Sequence, residues 1–254
     1  MTRIIMHGCN GRMGQVITGI VANTEGMQIV AGVDMFNERR NSYPVFTSIA
    51  ECDIPADVVI DFSNAAAVNG LLDYCVERNL PVVLCTTGLS EDQLAAMRAA
   101  SEKVAILKSA NMSLGVNILL KLLKDATNVL APAGFDIEIV EKHHNQKVDA
   151  PSGTALALAD AINEELDHSY EYVYDRTGRR EKRPKNEIGI AAVRGGSIVG
   201  DHDVIFAGQD EVITFSHRAY SRAVFAKGAV TAAGFLAGKG PGLYDMSDVI
   251  GSAL

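Results

Sequence analysis

Three glycines spaced three residues apart follow the first apolar segment, and this loop constrains the fold more than any other feature of the sequence. The apolar run at residues 3–7 ends at Gly8, and the loop Gly8-Cys-Asn-Gly-Arg-Met-Gly14 leads into residues with helical spacing. This order predicts a buried parallel strand, a tight turn and a helix. Such a loop lets a pyrophosphate approach the backbone closely at a helix N-terminus, although glycines also form purely structural turns.

Segments typical of strands and helices alternate as far as residue 110. Further buried strands are predicted at residues 27–33, 58–62, 80–85 and 104–108, separated by segments with helical periodicity. This alternation is typical of a Rossmann-type doubly wound parallel sheet, which binds ligands at the carboxyl ends of its strands. Five positions lie just past predicted strand ends and therefore predict a single site: Gly8, Asp34, Phe62, Thr86 and Asn111.

The pattern changes in the second half of the chain. Residues 114–130 predict a long apolar helix, and residues 135–139 alternate as a half-buried strand. Strand-like segments within residues 170–218 predict a mostly antiparallel sheet, and residues 223–236 have helical spacing again. The basic stretch at residues 176–185 is expected to be a solvated loop, or otherwise a flap over a ligand.

We therefore expect an α/β protein in which a Rossmann-type doubly wound parallel sheet is joined to a second α+β domain with a mostly antiparallel sheet. The dinucleotide-binding domain is predicted at residues 1–113 and 223–254. A second domain is predicted at residues 114–222.

Composition excludes several classes of protein. The net charge of −8 argues against a general binder of nucleic acid or of anionic membranes. No stretch of about 20 residues lacks charge, so a transmembrane helix is not expected. The first residues lead directly into the first strand without room for a secretory signal, which favours the cytoplasm. The four cysteines lack metal-like spacing and are expected to be reduced structural thiols.

An acidic residue stands where a dinucleotide-binding fold needs one. Asp34 ends the second predicted strand about 20 residues after Gly14, where a carboxylate accepts both ribose hydroxyls. Asp34 would repel a 2′-phosphate, which favours NADH over NADPH. Arg39 and Arg40 are close enough in sequence to supply a cation, so use of NADPH, or of both cofactors, stays open.

A second cluster, at residues 141–154, begins where a strand is expected to end and closes at a helix. Asp149 or Ser152 could cap that helix. The amides of Gly153 and Thr154 would then point outward as a seat for an anion.

Two histidines and a lysine stand next to this seat. His143, His144 and Lys147 would suit a dianionic substrate, a general acid and a charge-stabilising group. A plain helix cap beside two surface histidines is the alternative. No metal site is expected, because adjacent histidines point apart and no third ligand is evident.

The segment His143-His-x-x-Lys147-x-Asp149-Ala-Pro-Ser-Gly-Thr154 is the most distinctive motif of the chain. It resembles the signature of the dihydrodipicolinate reductase family, also called 4-hydroxy-tetrahydrodipicolinate reductases, of the diaminopimelate and lysine pathway. The resemblance spans the whole chain in order and includes Gly8-x-x-Gly11-Arg12-Met13-Gly14, Val59-Ile-Asp-Phe62, Thr86-Thr87-Gly88, Ala110-Asn111-x-Ser113-x-Gly115-Val-Asn117, Val193-Arg194, Gly200-x-His202 and Gly242-Leu-Tyr-Asp-Met246.

The resemblance implies reduction of 4-hydroxy-tetrahydrodipicolinate, a small dicarboxylate, to tetrahydrodipicolinate by NADH or NADPH. His143 matches the family's proton donor, and Lys147 matches its second proton donor or substrate anchor. His144, Gly153 and Thr154 match contacts to the substrate carboxylates. The resemblance also implies that residues 114–222 form a substrate-binding and oligomerisation domain, with a homotetramer assembled through the block at residues 170–218.

The same resemblance assigns several segments to the cofactor. The pyrophosphate would be held by the loop Gly8, Cys9, Asn10, Gly11, Arg12 and Met13, and the adenosine ribose by Asp34, where many relatives have Glu. A stretch near the cofactor matches Cys85, Thr86 and Thr87, with Cys85 replacing the usual Gly. The nicotinamide would be bordered by Ser109, Ala110, Asn111 and Met112, with Met112 where Phe is frequent.

Two other functions stay open on the residues alone. One is a different NAD-dependent dehydrogenase, such as one that acts on an amino acid. The other is a catalytically silent NAD-binding module, which would not need His143 and Lys147 beside an anion seat.

Overall fold

The computed structural model describes residues 1–36 and 39–252. The chain forms two compact units, the first from residues 1–114 and 223–254 and the second from residues 115–222. None of the helices in the described part of the chain has the length and apolar character that a membrane crossing requires.

The first unit is built on a seven-stranded sheet in which all neighbouring strands are parallel. Its strands are β1 (Thr2–His7), β2 (Met27–Val33), β3 (Val45–Phe46), β4 (Val58–Asp61), β5 (Val82–Leu84), β6 (Ala105–Leu107) and β12 (Gly242–Tyr244). They lie in the order β12-β6-β5-β4-β1-β2-β3. The chain reverses its direction of progress across the sheet between β1 and β4, which is where sheets of this kind bind ligands.

Helices cover both faces of this sheet, namely α1 (Arg12–Val21), α2 (Val68–Glu77), α3 (Glu91–Ser101), α6 (Ala223–Leu236) and α7 (Met246–Gly251). Successive strand residues point to opposite faces. Ile4 and Met6 of β1 therefore join the core formed with α1, α6 and α7, whereas Ile5 joins the core formed with α2 and α3. The two cores confirm the expected doubly wound fold.

The second unit contains a five-stranded sheet covered on one face by helices. Its strands are β7 (Asp136–His143), β8 (Glu171–Val173), β9 (Glu187–Arg194), β10 (Gly200–Ala207) and β11 (Val212–Ala219), in the order β11-β10-β7-β9-β8. Its helices are α4 (Leu114–Leu130) and α5 (Gly153–Glu164). Leu123 and Leu158 of these helices pack on Ile137 and Ile139 of β7.

This second sheet is mixed, where the sequence pattern predicts a mostly antiparallel one. β10 pairs antiparallel with β7 and β11, but β9 pairs parallel with β7 and β8. Parallel neighbours need a crossover connection of about a dozen residues or more. Residues 174–186 form that connection between β8 and β9. The sequence pattern missed the parallel pairs because alternation of polar and apolar residues is the same in parallel and antiparallel strands.

The basic stretch within this connection is a largely exposed loop, as expected, and three of its arginines also form ion pairs. Arg176 makes two hydrogen bonds to Glu138, of 2.9 and 2.8 Å. Arg183 binds Glu138 at 3.0 Å, and Arg179 pairs with Glu187. Because Glu138 and Glu187 lie on neighbouring strands, the partners of these arginines become visible only once the strand register is known.

Candidate functional sites

The glycine loop at the end of β1 leaves no room for a side chain at Gly8 or at Gly14. Gly8 has a φ of +81°, and a Cβ on it would lie 2.4 Å from the carbonyl oxygen of Phe62. A Cβ on Gly14 would lie 2.2 Å from the carbonyl oxygen of Gly8. Gly8 N also donates to Val33 O at 2.8 Å, which fixes the loop to the end of β2. The loop is therefore held in a form that only glycine permits at these positions.

The helix that follows the loop is open to an anion at its N-terminus. Gly11 occupies the N-cap position of α1 without a side-chain cap, and no acidic residue lies in the first turn. Arg12 and Met13 are the first residues of this helix. A helix N-terminus carries a partial positive charge, so this end favours a phosphate group.

Asp34 joins the end of β2 to the glycine loop. Its Oδ2 accepts a hydrogen bond from Asn10 N at 2.9 Å, and its Oδ1 accepts one from Phe36 N at 3.0 Å. Cys9 is buried beneath the loop, and burial raises the pKa of its thiol to about 11. The Cys9 thiol is therefore neutral and packs in the core, and only the backbone of Cys9 is available to a ligand at the loop.

A cavity of about 460 Å³ lies at the carboxyl ends of β1, β2 and β4. Its lining includes Gly8, Gly11, Asp34, Met35, Phe36 and Phe62. These residues match the parts of a dinucleotide: an open helix end for phosphate, a carboxylate for ribose, and apolar side chains for a base. Thr86 and Asn111 are not among the described residues that line this cavity.

A buried polar network holds the neighbouring strand ends together. Asp61 at the end of β4 is fully buried, lies 2.7 Å from His7 Nδ1, and accepts a hydrogen bond from Thr86 Oγ1 at 2.6 Å. Burial opposes ionisation of Asp61, but the hydrogen bonds from its partners, His7 foremost, keep its pKa below the ordinary value. Lys108 Nζ donates to Thr86 O at 3.0 Å, and burial lowers the pKa of this lysine.

The remaining residues predicted to contact cofactor follow β5 and β6. Cys85 N donates to Asp61 O at 3.0 Å, and Thr87 is exposed. Ser109 and Ala110 come shortly after β6, and Asn111 Oδ1 accepts from Ser113 N at 2.8 Å. Met112 is buried, with its carbonyl oxygen 1.7 Å from where a Cβ on Gly228 of α6 would lie. The close approach of α6 therefore fixes the backbone at the end of this segment.

The strand that leads to the second cluster is longer than the sequence indicates. The sequence predicts an end near Val140, whereas β7 continues through His143. Buried residues alternate along it without a break, so Glu141 and His143 occupy the face that Ile137 and Ile139 occupy earlier. A run of charged and histidine residues is typical of a loop, but here both neighbouring strands pair with it.

The carboxylate of Glu141 forms the centre of this second site. Its Oε2 lies 2.6 Å from His143 Nδ1, and its Oε1 accepts Ser152 N at 3.0 Å. Arg194 binds both oxygens, each at 2.7 Å. Burial alone would raise the pKa of Glu141, but the bonds from Arg194 and His143 keep it below the ordinary value. Glu141 is therefore ionised at neutral pH.

Ser152, and not Asp149, caps helix α5. Its Oγ accepts Ala155 N at 3.1 Å and lies 3.0 Å from His202 Nε2. Gly153 and Thr154 are the first residues of the helix, at the positive end of its dipole. The first turn of α5 is thus linked to Glu141 through one hydrogen bond, from Ser152 N.

The other basic residues of the cluster have partners of their own. Lys147 Nζ pairs with Asp149 Oδ1 at 2.8 Å, which lowers the pKa of Asp149. Asp149 O accepts a hydrogen bond from Arg194 at 2.7 Å, so Lys147 is connected to the Glu141 network. His144 Nε2 lies 3.5 Å from a guanidinium nitrogen of Arg222.

Several residues of these two networks have no role that the sequence predicts. In the second unit these are Glu141, Arg194 and His202, and in the first His7, Asp61 and Lys108. Residues two apart in a strand point to the same face, so the spacing of Glu141 and His143 is a signal that they lie together. The predicted strand ends before both residues, and the signal is therefore lost. Within the described ranges, no group of three or more His, Cys, Asp or Glu side chains is arranged to hold a metal ion.

Comparisons with known proteins match this chain to the same family of enzymes over nearly its whole length. The family model "Dihydrodipicolinate reductase, N-terminus" matches residues 2–112, and "Dihydrodipicolinate reductase, C-terminus" matches residues 115–250. A curated 4-hydroxy-tetrahydrodipicolinate reductase from Caldanaerobacter subterraneus subsp. tengcongensis is 54% identical over 250 residues, 98% of each chain. One from Clostridium novyi (strain NT) is 52% identical over 252 residues, 99% of each chain.

A solved structure with the same fold is also similar. It is the dipicolinate-bound dihydrodipicolinate reductase from Paenisporosarcina sp. TG-14, with 25% sequence identity and a TM-score of 0.81, covering 96% of this chain and 97% of the other. The expected family is confirmed by both models and by these relatives. The chain belongs to the dihydrodipicolinate reductase family.

Proposed function

We propose that this chain reduces 4-hydroxy-tetrahydrodipicolinate to tetrahydrodipicolinate with NADH or NADPH, in diaminopimelate and lysine biosynthesis. Membership of the family over both units supports the reaction. The chemistry rests on one observation, a chain of hydrogen-bonding contacts from His143 through Glu141 to Ser152 at the N-terminus of α5. A proton donor, His143, and an anion-binding helix N-terminus that are linked by the same carboxylate suit the reduction of an anionic substrate.

The first unit is proposed to bind the cofactor, which supplies a hydride when bound. The loop from Gly8 to Met13 would hold the pyrophosphate at the open end of α1, and Asp34 would accept the adenosine ribose hydroxyls. The segments Cys85 to Thr87 and Ser109 to Met112 would border the nicotinamide.

The second unit is proposed to bind the dicarboxylate substrate. The solved relative is described as bound to dipicolinate, which supports a small dicarboxylate as ligand here. The amides of Gly153 and Thr154, at the positive end of α5, would hold one carboxylate together with His144 and Lys147. These groups also stabilise the negative charge that develops on the substrate as hydride arrives.

His143 would deliver the proton that completes the reduction. The substrate loses water, its conjugated ring accepts a hydride at one carbon, and a proton from His143 neutralises the resulting negative charge. His143 is mostly buried, and its Nδ1 lies 2.6 Å from Glu141 Oε2. Lys147, paired with Asp149, is proposed as second proton donor or substrate anchor.

NADH is the proposed preferred cofactor, because a carboxylate at the ribose position repels a 2′-phosphate. Asp34→Ala should lower the ratio of kcat/KM for NADH to that for NADPH by about tenfold or more, since a hydrogen bond to a charged group contributes about 1.5–3 kcal/mol. Both KM values should rise as well, because Asp34 also holds Asn10 N. Parallel assays with the two cofactors measure this ratio.

Asp53→Ala is a control for this experiment, because Asp53 is an exposed carboxylate of the same unit outside the cavity. It should leave the ratio unchanged. An unchanged ratio in Asp34→Ala would mean that the preference is set elsewhere, with Arg39 and Arg40 the next residues to replace.

A coupled assay tests the proposed function directly. The preceding synthase would generate the substrate in place from pyruvate and aspartate semialdehyde, and consumption of NADH or NADPH would be followed by absorbance. We expect consumption that requires both this protein and the synthase. Binding of NADH without consumption, in the presence of an active synthase, would reduce the proposal to a dinucleotide-binding protein with another substrate.

The cytoplasmic location and the homotetramer stay predictions. Sedimentation of the purified protein would test the tetramer, which the family resemblance places on the second sheet.

A further inference from the structure

We infer that Glu141 is a positioning residue that fixes the ring of His143 through Nδ1 and ties it to the first turn of α5. The inference rests on the proposed function, in which His143 donates the proton. It adds a residue that acts through His143 and does not itself touch the substrate.

The contacts of Glu141 exceed what neutralising its charge requires. Arg194 alone supplies an opposite charge with a hydrogen bond to each carboxylate oxygen. The same two oxygens also contact His143 Nδ1 and Ser152 N. With four donors around a fully buried carboxylate, Glu141 cannot shift without breaking hydrogen bonds that have no water to replace them.

These contacts determine which nitrogen of His143 carries a proton when the ring is neutral. An ionised carboxylate only accepts hydrogen bonds, so Nδ1 of His143 must be the donor to Glu141. Nε2 is then the nitrogen left to exchange a proton with a ligand. A side chain on Gly200 would crowd it, since a Cβ there would lie 3.0 Å from Nε2.

The surroundings of the ring leave Glu141 as its direct charge partner. From β10, His202 packs edge-on, with ring centroids 5.2 Å apart, and burial lowers the pKa of His202 to about 4, so it is neutral at pH 7. From β9, Arg194 is engaged by Glu141, and in the adjoining loop Lys147 is paired with Asp149. Glu141 is therefore the carboxylate in direct contact with the ring, and it is shared with Arg194.

Glu141 also connects this ring to the helix that is proposed to hold substrate. Ser152 donates its amide to Glu141 and accepts Ala155 N through its hydroxyl, so one residue links the carboxylate to the first turn of α5. The donor and the anion seat are thus supported by one carboxylate. Loss of Glu141 should disturb the position of His143 relative to bound substrate, as well as the protonation of its ring.

The test is Glu141→Gln, which keeps the shape of the side chain and removes its charge. We expect kcat to fall by about 10- to 1,000-fold, with the KM for NADH little changed, because aligned general acids contribute about 10²–10⁴ in rate. The pH profile of kcat should also change, because a neutral amide replaces the carboxylate that contacts Nδ1 of His143. Glu141→Asp, which keeps the charge, should retain more activity than Glu141→Gln.

A double variant shows whether Glu141 acts through His143. If it does, His143→Gln with Glu141→Gln should be about as slow as His143→Gln alone, because residues that act as a unit are not additive. Multiplied losses in the double variant would show independent roles and overturn the inference.

Glu187→Gln is the matched control for a merely structural role. Glu187 is also buried in this sheet and also paired with arginines, Arg176 and Arg179, but it does not contact His143. It should lower thermal stability and leave the pH profile of kcat unchanged. Equal activity losses in the two variants, with unchanged pH profiles in both, would assign Glu141 a structural role only.

Nitrogen-15 NMR of the histidine rings gives a readout that does not depend on turnover. The wild-type protein should show a proton on Nδ1 of His143, and Glu141→Gln should change the balance between the two ring tautomers. If the coupled assay fails but this change is seen, the proposed function is wrong and the positioning role survives. A wild-type spectrum without a proton on Nδ1 would overturn the positioning role itself.

Discussion

Replacing His143 with glutamine is expected to lower kcat by about 10²- to 10⁴-fold, the range that a positioned general acid contributes. Glutamine retains a hydrogen-bonding group next to Glu141 but cannot give up a proton near neutral pH. The cavity of the first unit that is proposed to hold the cofactor is lined by other residues, so the KM for NADH should change little. Steady-state rates from the coupled assay, with each substrate varied in turn, separate the two constants.

His168→Asn serves as the control for this prediction. His168 is an exposed histidine of the second unit with a φ of +54°, a conformation that asparagine tolerates well. Its replacement should leave both kcat and KM unchanged. If His143→Gln retained a near-normal kcat, His143 would not be the proton donor, and Lys147 would become the residue to replace.

The elements of the first unit were predictable because each depends on local sequence. The apolar run before Gly8, the glycine loop and the periodicity of α1 specify a strand, a turn and a helix without reference to distant residues. The capping box that Ser90 and Gln93 form at the start of α3 is likewise a local feature, since its two residues are three positions apart. Alternation of such segments then implies parallel strands, because two parallel strands need a crossover between them.

The second unit was harder to predict because its organisation depends on pairings between distant strands. The end of β7 at His143 is set by β9 and β10, which pair with it on both sides. The ion pair of Glu141 with Arg194 joins residues 53 positions apart. The positions of His143 and Ser152 could be predicted from a motif, but the carboxylate that connects them could not.

The glycine loop allows the second large effect to be predicted from geometry. Gly14→Ala would place a Cβ 2.2 Å from the oxygen of Gly8 and 2.6 Å from that of Cys9. Both residues are held by their amides at Val33 O, so the loop cannot move aside without losing those bonds. Overpacking of this kind costs about 1–3 kcal/mol, which corresponds to a rise of about 5- to 150-fold in the Kd for NADH if the loop is displaced.

Gly19→Ala separates this effect from the general effect of alanine in the same helix. Gly19 also lies in α1, but a Cβ on it would meet no heavy atom within 4 Å. Alanine there should keep the Kd for NADH unchanged and raise stability by about 1 kcal/mol, because alanine is the better helix former. Titration with NADH and thermal unfolding of both variants would measure the contrast. A Cβ on Gly14 must displace the loop, because the carbonyl oxygens of Gly8 and Cys9 occupy the space around it. A folded Gly14→Ala variant that binds NADH as tightly as Gly19→Ala would therefore show that this loop does not contact the cofactor.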